Sequence, residues 1–333
     1  MVQPLVTIVV VPRERFSFAL PSLESIWRFT TPPFRLVYVD AGSPRHVRRE
    51  LQRRAAALGF DLVRVDRCLT PNKARNIGLR HVRTRYVVFL DNDALVMAGW
   101  LDALVGCAED TGAAICGPLQ LIGDPREQVI HLAGGVGRIV EEDGRRRFHD
   151  AHHLTGRRVP DVRDQLVRTG TEQVEFHCML VRSAVFERFG RLDEGLLNAQ
   201  EHADLCLTVR GAGLSIVLEP ASVVTYVPPP PFALSDLPFF LLRWSEDWTR
   251  RSLEHFAAKW QLDANNPGLG STIAFARWHR RLPARYARAL CEGAIGRPMA
   301  RWAHPFARST RATTAIARWT NRMARWERRS RPR

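Results

Sequence analysis

The sequence has few of the features that mark a disulfide scaffold, a metal finger or a membrane-spanning segment. Its 333 residues include six cysteines, none in a Cys-x-x-Cys pair, at Cys68, Cys107, Cys116, Cys178, Cys206 and Cys291. This usage is typical of isolated thiols in a reducing compartment. The first apolar run, residues 5–11, is far shorter than the ~18 residues of a transmembrane helix. Pro12 and charged residues follow where a signal peptide has small residues. These absences predict a cytoplasmic protein.

The glycine-rich loops that hold phosphates in many nucleotide-binding proteins are also missing. No Gly-x-Gly-x-x-Gly follows the first apolar run, and no Walker-type loop ending in Gly-Lys-Ser or Gly-Lys-Thr occurs. Dinucleotide-binding and P-loop folds therefore have no support. The composition, 45% hydrophobic and 25% charged residues, is that of a globular protein and excludes disorder and collagen.

The net charge of +15 is concentrated in one part of the chain. Residues 271–333 contain 16 arginines, no lysine and two acids, so that this segment carries almost all of the excess charge. Within residues 315–329, apolar side chains recur at spacings of three and four, as on one face of a helix. We therefore predict a basic helical tail, residues 263–333, that either binds an anionic membrane surface from the cytoplasmic side or packs on the body or a partner subunit. Nucleic acid is a poor partner for the nearly neutral body.

The body alternates short β-rich runs with stretches of helical period. Predicted strands are residues 5–11, 34–39, 61–65 and 86–90, and helices are predicted after the first two. Strands that are apolar throughout are typical of parallel sheets covered on both faces. The sequence thus predicts an α/β fold of Rossmann type. Ligands of such sheets lie beyond the carboxyl ends of the strands, and these ends carry Pro12, Glu14, Asp40 and Asp91-Asn92-Asp93.

Two acids follow the fourth predicted strand directly. Asp91 and Asp93 are one residue apart, and in an extended segment both carboxylates point the same way. They can face one hard cation, Mg²⁺ or Mn²⁺, with room for the oxygens of a diphosphate. The alternative is a plain Asp-Asn turn that closes a strand.

Two predicted helices carry further candidate groups. Arg75 lies in a predicted helix start, residues 70–79, that leads into the strand before Asp91, and its guanidinium can bind a diphosphate. The alternative is a solvated basic face. Glu201, His202 and Asp204 begin a later helix, and each can accept a proton. Acids at a helix start also stabilise its dipole.

Five sequence segments, in the order in which they occur, resemble glycosyltransferase family 2, whose members have the GT-A fold. The resemblance spans residues from about 5 to about 262 and rests on the opening strand with Pro12, the VDAGS segment at residues 39–43, the ARN segment at 74–76, the FLDND segment at 89–93 and the acid-rich helix at Glu201. It implies a catalytic domain over residues 1–262, with a nucleotide-binding half of about 1–120 and an acceptor half of about 121–262.

The resemblance also implies roles for single residues. Asp40 would contact the nucleoside and Arg75 the diphosphate, while Asp91 and Asp93 would hold the nucleotide and the metal, Asp93 being the more direct ligand. Many GT-A enzymes add a late histidine as a metal ligand, but Tyr226 occupies the matching stretch here. The family's Glu-Asp pair is replaced by Glu201-His202, so that Glu201 is the first choice for the general base, with Asp204 and His202 as alternatives.

The implied reaction is metal-assisted, inverting transfer of a sugar from a nucleotide-diphosphate donor to a hydroxyl of a glycan, lipid-linked or other acceptor. Acceptor recognition is expected between residues 121 and 174, where the alternation lapses. His149, His152 and His153 fall in this stretch without acids at metal-ligand spacing, and we predict a flexible loop there, with residues 150–168 as a mobile lid. Two alternatives are an inactive GT-A-fold binding protein and, less favoured, a sugar-phosphate nucleotidyltransferase.

Overall fold

A computed structural model describes residues 3–263 and 267–287 of the chain. Within them lie twelve strands, β1 Val6–Val11, β2 Phe34–Ala41, β3 Asp61–Val65, β4 Tyr86–Asp91, β5 Ala94–Val96, β6 Ile115–Ile122, β7 Ile130–Leu132, β8 Gly135–Glu142, β9 Arg145–His152, β10 Thr169–Gly170, β11 Cys178–Arg182 and β12 Ile216–Tyr226. The α-helices of the same residues are α1 Ala19–Phe29, α2 Arg45–Leu58, α3 Pro71–Leu79, α4 Trp100–Thr111, α5 Ala184–Phe189, α6 Glu201–Gly211, α7 Leu237–Arg243, α8 Glu246–Trp260 and α9 Pro267–His279.

Ten of the strands form one mixed sheet. Its main order is β10-β12-β6-β11-β4-β1-β2-β3, with β5 beside β12 and β7 beside β6. The half made by β4, β1, β2 and β3 is parallel, whereas β11 runs antiparallel between β4 and β6. The four predicted strands and the α/β class are thus confirmed. Because β11 is antiparallel, its first residue, Cys178, pairs with Leu90 at the end of β4, so β11 begins at the edge of the sheet where β4 ends.

The sheet is covered on both faces because alternate residues of its strands point to opposite sides. Ile8 and Val10 of β1 belong to the core under α1 and α4, whereas Val9 and Val11 belong to the core under α3 and α5. This is the reason that β1 is apolar throughout. The two layers fix the carboxyl ends of β1, β2 and β4 at one edge.

Gly78 lets α3 lie unusually close to β1. A Cβ atom at this position would stand 2.3 Å from Cγ1 of Val9. We expect Gly78→Ala to lower the free energy of unfolding by about 1–3 kcal/mol through overpacking, as measured by denaturant unfolding. The matched control is Gly106→Ala in α4, where a Cβ meets nothing within 4 Å. That change should be neutral or stabilising by roughly 0.5–1 kcal/mol; equal losses in both variants would contradict the packing argument.

The stretch predicted as a flexible loop is mostly ordered secondary structure, so that prediction is wrong. Strands β8 and β9 form an antiparallel hairpin paired from Gly135 with His152 to Glu142 with Arg145. Its Phe148 packs on Phe256 of α8, with ring centroids 5.2 Å apart. Charged residues hid this hairpin in the sequence because only one of its faces is covered. The mobile lid at residues 150–168 stays a prediction.

The start of the predicted basic tail packs against the body. Helix α9 places His279, which is 6% exposed, between the rings of Trp244 and Phe240. The predicted amphipathic helix at 315–329 lies outside the described residues. Across the parts of the chain that the structure describes, no helix is both long and apolar enough to cross a membrane. The cysteines are less isolated than expected, since the Sγ atoms of Cys107 and Cys116 lie 3.6 Å apart.

Candidate active site

A cavity of about 360 Å³ opens at the carboxyl ends of β1 and β4. Its polar lining comes from the loop after β1, from α3, β4, the segment before β11, and the start of α6, and includes Arg13, Glu14, Arg75, Asp91, Glu175, His177, Glu201 and His202. Helix α9 closes one side with Phe275 and His279. A second cavity of about 480 Å³ lies at the opposite edge, where β2 and β3 begin. Ligands of α/β sheets bind at the carboxyl edge, so the first cavity is the candidate site.

Asp91, the last residue of β4, is held by three cationic or polar neighbours. Its Oδ1 accepts a hydrogen bond from Arg75 at 3.1 Å, and its Oδ2 lies 3.1 Å from Nδ1 of His177 and 3.5 Å from Nε of Arg13. Burial by itself would raise the pKa of Asp91, but His177, Arg75 and Arg13 bring it below its usual value. Asp91 is therefore a charged, fixed carboxylate at the cavity wall.

Arg75 is fixed from both sides, as expected for a group that must keep one orientation. The guanidinium donates to Asp91 and to Asn72, 3.3 Å away on the same helix, and its Cζ lies 3.9 Å from the ring centroid of Phe176. It is 1% exposed yet lines the cavity. An anion entering the cavity would therefore meet a preoriented guanidinium.

Asp93 is the least satisfied acid of the site. It is fully buried, and neither of its carboxylate oxygens has a hydrogen-bond partner. Burial raises the pKa of Asp93 well above its usual value, and the negative charges of Glu14 and Asp91 raise it further. A buried carboxylate without a partner is costly, and a bound cation is one arrangement that removes the cost.

His177 is a site residue that the sequence analysis missed. It directly precedes β11 and stacks on the ring of Tyr226, with centroids 4.0 Å apart and planes inclined by 22°. Its ligating atom lies within 4.8 Å of those of Asp91 and Asp93, so the three form a potential metal-binding group. The signal in the sequence was the Phe-His pair at the start of the strand, but the antiparallel return of β11 beside β4 is what brings His177 to the acids.

The residues present fit a divalent cation. Two carboxylates and one imidazole offer oxygen and nitrogen ligands of the kind that Mn²⁺ accepts, and the two unpartnered oxygens of Asp93 would gain the partner they lack. The late histidine of the resemblance is absent from β12, where Tyr226 stands as expected, and His177 lies against that tyrosine instead.

Asn92 and Pro12 are buried but do not line the cavity. The Asn92 side chain accepts a hydrogen bond from the backbone N–H of Arg13 and donates one to the carbonyl of Arg15, at 2.9 Å each. It thereby ties the loop after β1 to the end of β4. Asn92 and Pro12 thus shape the loop that presents Arg13 and Glu14. Their contact with the donor stays a prediction.

Asp40 is likewise buried and lies outside the cavity lining. Its Oδ2 accepts hydrogen bonds from Arg64 at 2.7 Å and from the hydroxyl of Ser43 at 2.8 Å. Both partners lie at the carboxyl edge of the sheet, in β3 and in the loop after β2. The predicted contact of Asp40 with a nucleoside is therefore still a prediction, and Arg64 would share that contact.

Glu14 lies at the cavity wall beside α9. Its Oε2 is 3.2 Å from Nε2 of His279, and its other oxygen has no hydrogen-bond partner. Burial alone would raise the pKa of Glu14, but His279 and Arg13 lower it to about 2. Glu14 is thus charged, and the first residues of the predicted tail complete the site.

Glu201 begins α6 on the wall that also carries His202. It is 5% exposed, its Oε1 has no hydrogen-bond partner, and the nearest cation is Arg243, 3.8 Å away. The preceding residue, Gln200, has a φ of 63°, so the chain turns sharply into the helix there. This turn directs the helix start toward the cavity. Glu201 thus has an oxygen available to accept a proton.

The other two candidates for the base differ in what they contact. His202 lines the cavity, and its Nε2 is buried without a partner. Asp204 has both oxygens engaged by α8: it accepts hydrogen bonds from Lys259 at 2.8 Å and from the indole of Trp260 at 2.9 Å. It does not line the cavity. Asp204 therefore links α6 to α8.

We expect Asp204→Asn to act on stability rather than on activity. Losing the charged acceptor of Lys259 should lower the free energy of unfolding by about 1 kcal/mol, since half-exposed ion pairs contribute little more. Turnover with a donor and acceptor should change less than threefold. The checks are denaturant unfolding and steady-state kinetics. Lost turnover with unchanged stability would make Asp204 the base.

The sequence model of the family described as "Glycosyl transferase family 2" matches residues 7–189, more than half of the chain. Two curated relatives, both named pre-mycofactocin glycosyltransferase, from two strains of Mycobacterium tuberculosis, are 27% identical over 156 residues. The match covers 47% of this chain and 30% of each relative, so this chain aligns with less than a third of their length.

Two solved structures have a similar fold. GalNAc-T7, solved with UDP, GalNAc and Mn²⁺, has a TM-score of 0.53 and 14% identity, over 78% of this chain and 54% of its own. The mannosyltransferase PcManGT from Pyrobaculum calidifontis, in complex with GDP-Man and Mn²⁺, has a TM-score of 0.51 and 17% identity, over 96% and 86%. These likenesses confirm the expected GT-A architecture. The family match, which spans more than half of the chain, shows that this chain belongs to glycosyl transferase family 2.

Proposed function

We propose that the protein transfers a sugar from a nucleotide-diphosphate donor to an acceptor hydroxyl, with metal assistance and inversion at the anomeric carbon. The observation that carries this proposal is the arrangement of one cavity. Asp91, Arg75 and Glu201 line it together, and the ligating atom of the buried, unpartnered Asp93 lies within 4.8 Å of those of Asp91 and His177. Family membership supports the same reaction class.

The diphosphate leaving group needs positive charge as its bond to the sugar breaks. Arg75 and Arg13 both face the cavity next to Asp91. Asp91, Asp93 and His177 would hold a divalent ion, which supplies Lewis-acid stabilisation of the departing phosphate when bound. Preoriented charges of this kind act more strongly in a site that excludes water. The proposed metal is Mn²⁺ or Mg²⁺, and both similar structures contain Mn²⁺.

The attacking hydroxyl must lose a proton, and Glu201 is the group proposed to take it. Its free Oε1 and its near-complete burial suit a base that acts on a bound acceptor. His202, on the same wall, is the alternative. In a direct displacement the base and the leaving group lie on opposite faces of the sugar, so this assignment goes with inversion.

The experiment that tests the function begins with donor binding. Nucleotide sugars are screened for Mn²⁺-dependent protection of the full chain against thermal unfolding, because a ligand at 100 times its Kd stabilises a protein by about 2.7 kcal/mol. The stabilising donor is then incubated with acceptor hydroxyls, and the anomeric configuration of the product is determined by NMR. An inactive binding protein would be stabilised without turnover, and a nucleotidyltransferase would release pyrophosphate from a nucleoside triphosphate.

The acceptor is proposed to be a glycan or a lipid-linked hydroxyl, with the basic tail docked to an anionic membrane surface. Residues 288–333 follow α9 in the chain and contain 12 of the 16 arginines of the tail. We expect the full chain to float with anionic vesicles but not with neutral ones, and a chain ending at Ala287, which keeps α9, to lose flotation. Equal flotation of both chains would reject the docking role of the tail.

A further inference from the structure

A second group of ligating side chains lies on the same cavity wall, outside the chemistry described above. Glu175 precedes β11, and its Oε2 is 2.8 Å from Nε2 of His131 in β7. Its Oε1 is 3.5 Å from Nε2 of His152, the last residue of β9. The three side chains come from two strands and from the segment before a third, and they meet only in the folded chain. The Oε2 of Glu175 also lies 3.4 Å from Nε2 of His177, so this group borders the Asp91 group, but none of its own three members has an assigned role in the proposed transfer of a sugar.

We propose that His131, His152 and Glu175 form a second metal site that takes a divalent transition metal such as Zn²⁺ or Co²⁺. Their ligating atoms all lie within 4.8 Å of one another. Ligands about 2.0–2.2 Å from a tetrahedral Zn²⁺ are about 3.4 Å apart, and the 3.5 Å between Glu175 and His152 is close to that spacing. Two imidazoles and one carboxylate are a known zinc donor set that leaves the fourth position open.

The open position would face the cavity, since all three residues line it. Their side chains are between 15% and 24% exposed, so an ion can reach them from solvent. The backbone of the site is supported from behind. Gln120, which is fully buried, donates a hydrogen bond to the carbonyl of Glu175 at 3.1 Å, and the hydroxyl of Thr155 donates one to the carbonyl of His131 at 2.9 Å.

A hydrogen-bonded cluster without an ion accounts for only part of this geometry. It explains the 2.8 Å contact of His131 with Glu175, but at 3.5 Å the imidazole of His152 is at the limit of a hydrogen bond. A shared ion gives each of the three a partner at once. It would also connect the β8–β9 hairpin to the main sheet, because His152 lies on the hairpin and His131 on β7 of that sheet.

Metal binding by the full chain tests the site without a donor or an acceptor, so the result does not depend on the proposed transfer. The Asp93→Asn chain is used in order to weaken the Asp91 group. Metal-free protein is titrated with Co²⁺ and followed by visible absorption, and we expect one bound Co²⁺ that Zn²⁺ displaces. Losing even an outer partner of a metal ligand commonly lowers metal affinity by about 10–100-fold. Adding His152→Ala or Glu175→Gln to the Asp93→Asn chain removes a ligand itself, so it should lower the Co²⁺ affinity by at least that factor.

The matched control is His149→Ala on the same strand, whose imidazole is 46% exposed and pairs with Glu142 instead. Its Co²⁺ affinity should equal that of the parent chain. Unchanged affinity in both His152→Ala and Glu175→Gln would overturn the proposal, as would the absence of Co²⁺ binding by the parent.

A second measurement avoids any change at the site itself. X-ray absorption of the Zn²⁺-loaded Asp93→Asn chain reports how many imidazoles bind the ion. The proposed site supplies two, whereas the Asp91 group has only His177. Two bound imidazoles support the proposal, and one or none overturns it even if the other variants fail to fold.

Discussion

Replacing Glu201 by Gln is expected to reduce transfer by about 10²–10⁴-fold, the range typical of a lost general base. The amide keeps the size of the side chain but cannot accept the proton of the attacking hydroxyl. Glu201 has no hydrogen bond at Oε1, but it faces the fully buried Arg243 at 3.8 Å, so the thermal midpoint is needed to separate a loss of chemistry from a loss of stability caused by the uncompensated guanidinium. The measurement is the rate of product formation at saturating donor and acceptor, together with the thermal midpoint.

Two comparisons make this prediction specific. Donor binding by the Glu201→Gln chain should match that of the parent, because the loss lies in the chemical step. Glu187→Gln, the same chemical change on an exposed residue of α5, should leave turnover intact. If the Glu201→Gln chain keeps its turnover, or if His202→Gln loses more activity than it does, the base assignment is wrong.

Replacing Asp93 by Asn should have opposite effects on metal-free stability and on activity. The fully buried carboxylate has no hydrogen-bond partner, so removing its charge should raise the metal-free unfolding free energy by at least about 1 kcal/mol. The same change removes a proposed metal ligand. Mn²⁺-dependent thermal stabilisation and transfer should therefore both be lost.

Asp91→Asn is the matched contrast, because the two acids are one residue apart and differ in their partners. Asp91 accepts from Arg75 at 3.1 Å in a buried pair. Removing its charge leaves the guanidinium uncompensated, and breaking a buried pair costs about 3–5 kcal/mol. Calorimetry with and without Mn²⁺ should show that the metal-free Asp93→Asn chain is more stable than the parent and that the metal-free Asp91→Asn chain is less stable. Destabilisation of both would show that Asp93 has a structural partner.

These predictions give the polar residues of the cavity different roles. His177, Arg75 and Arg13 keep the pKa of Asp91 below its usual value, whereas burial, together with the neighbouring acids, raises the pKa of Asp93. Asp91, at the cavity wall, is therefore a satisfied carboxylate, whereas Asp93, which is buried and does not line the cavity, is an unsatisfied one. That asymmetry is the physical reason to expect Asp93 to respond to a metal more strongly than Asp91 does.

The sequence predicted the nucleotide-binding half well because its signals are local. An apolar strand that ends in two acids, and a helix that begins with Pro71 and carries Arg75, are patterns set by neighbours in the chain. The bounds of β3 agree with the prediction, and those of β1, β2 and β4 agree within two residues. The Glu201 helix also begins where expected.

The sequence did not reveal which distant residues meet. Four such residues lie on three different segments, with His131 in β7, His152 in β9, and Glu175 and His177 before β11, and their spacing follows no ligand motif. Only the antiparallel return of β11, and the β8–β9 hairpin that the sequence presented as a loop, bring them to one wall of the cavity. The use of Asp204 as a link to α8 was hidden for the same reason, since Lys259 is 55 residues away.

The sequence by itself determined the α/β class, the edge of the sheet that holds the site, and the residue types at the strand and helix ends, because periodicity and end signals act over a few residues. Only the tertiary structure decided which carboxylates are paired, which stand alone, and which histidines join them. Those properties depend on burial and on the distances between segments far apart in the chain, and short-range patterns contain neither.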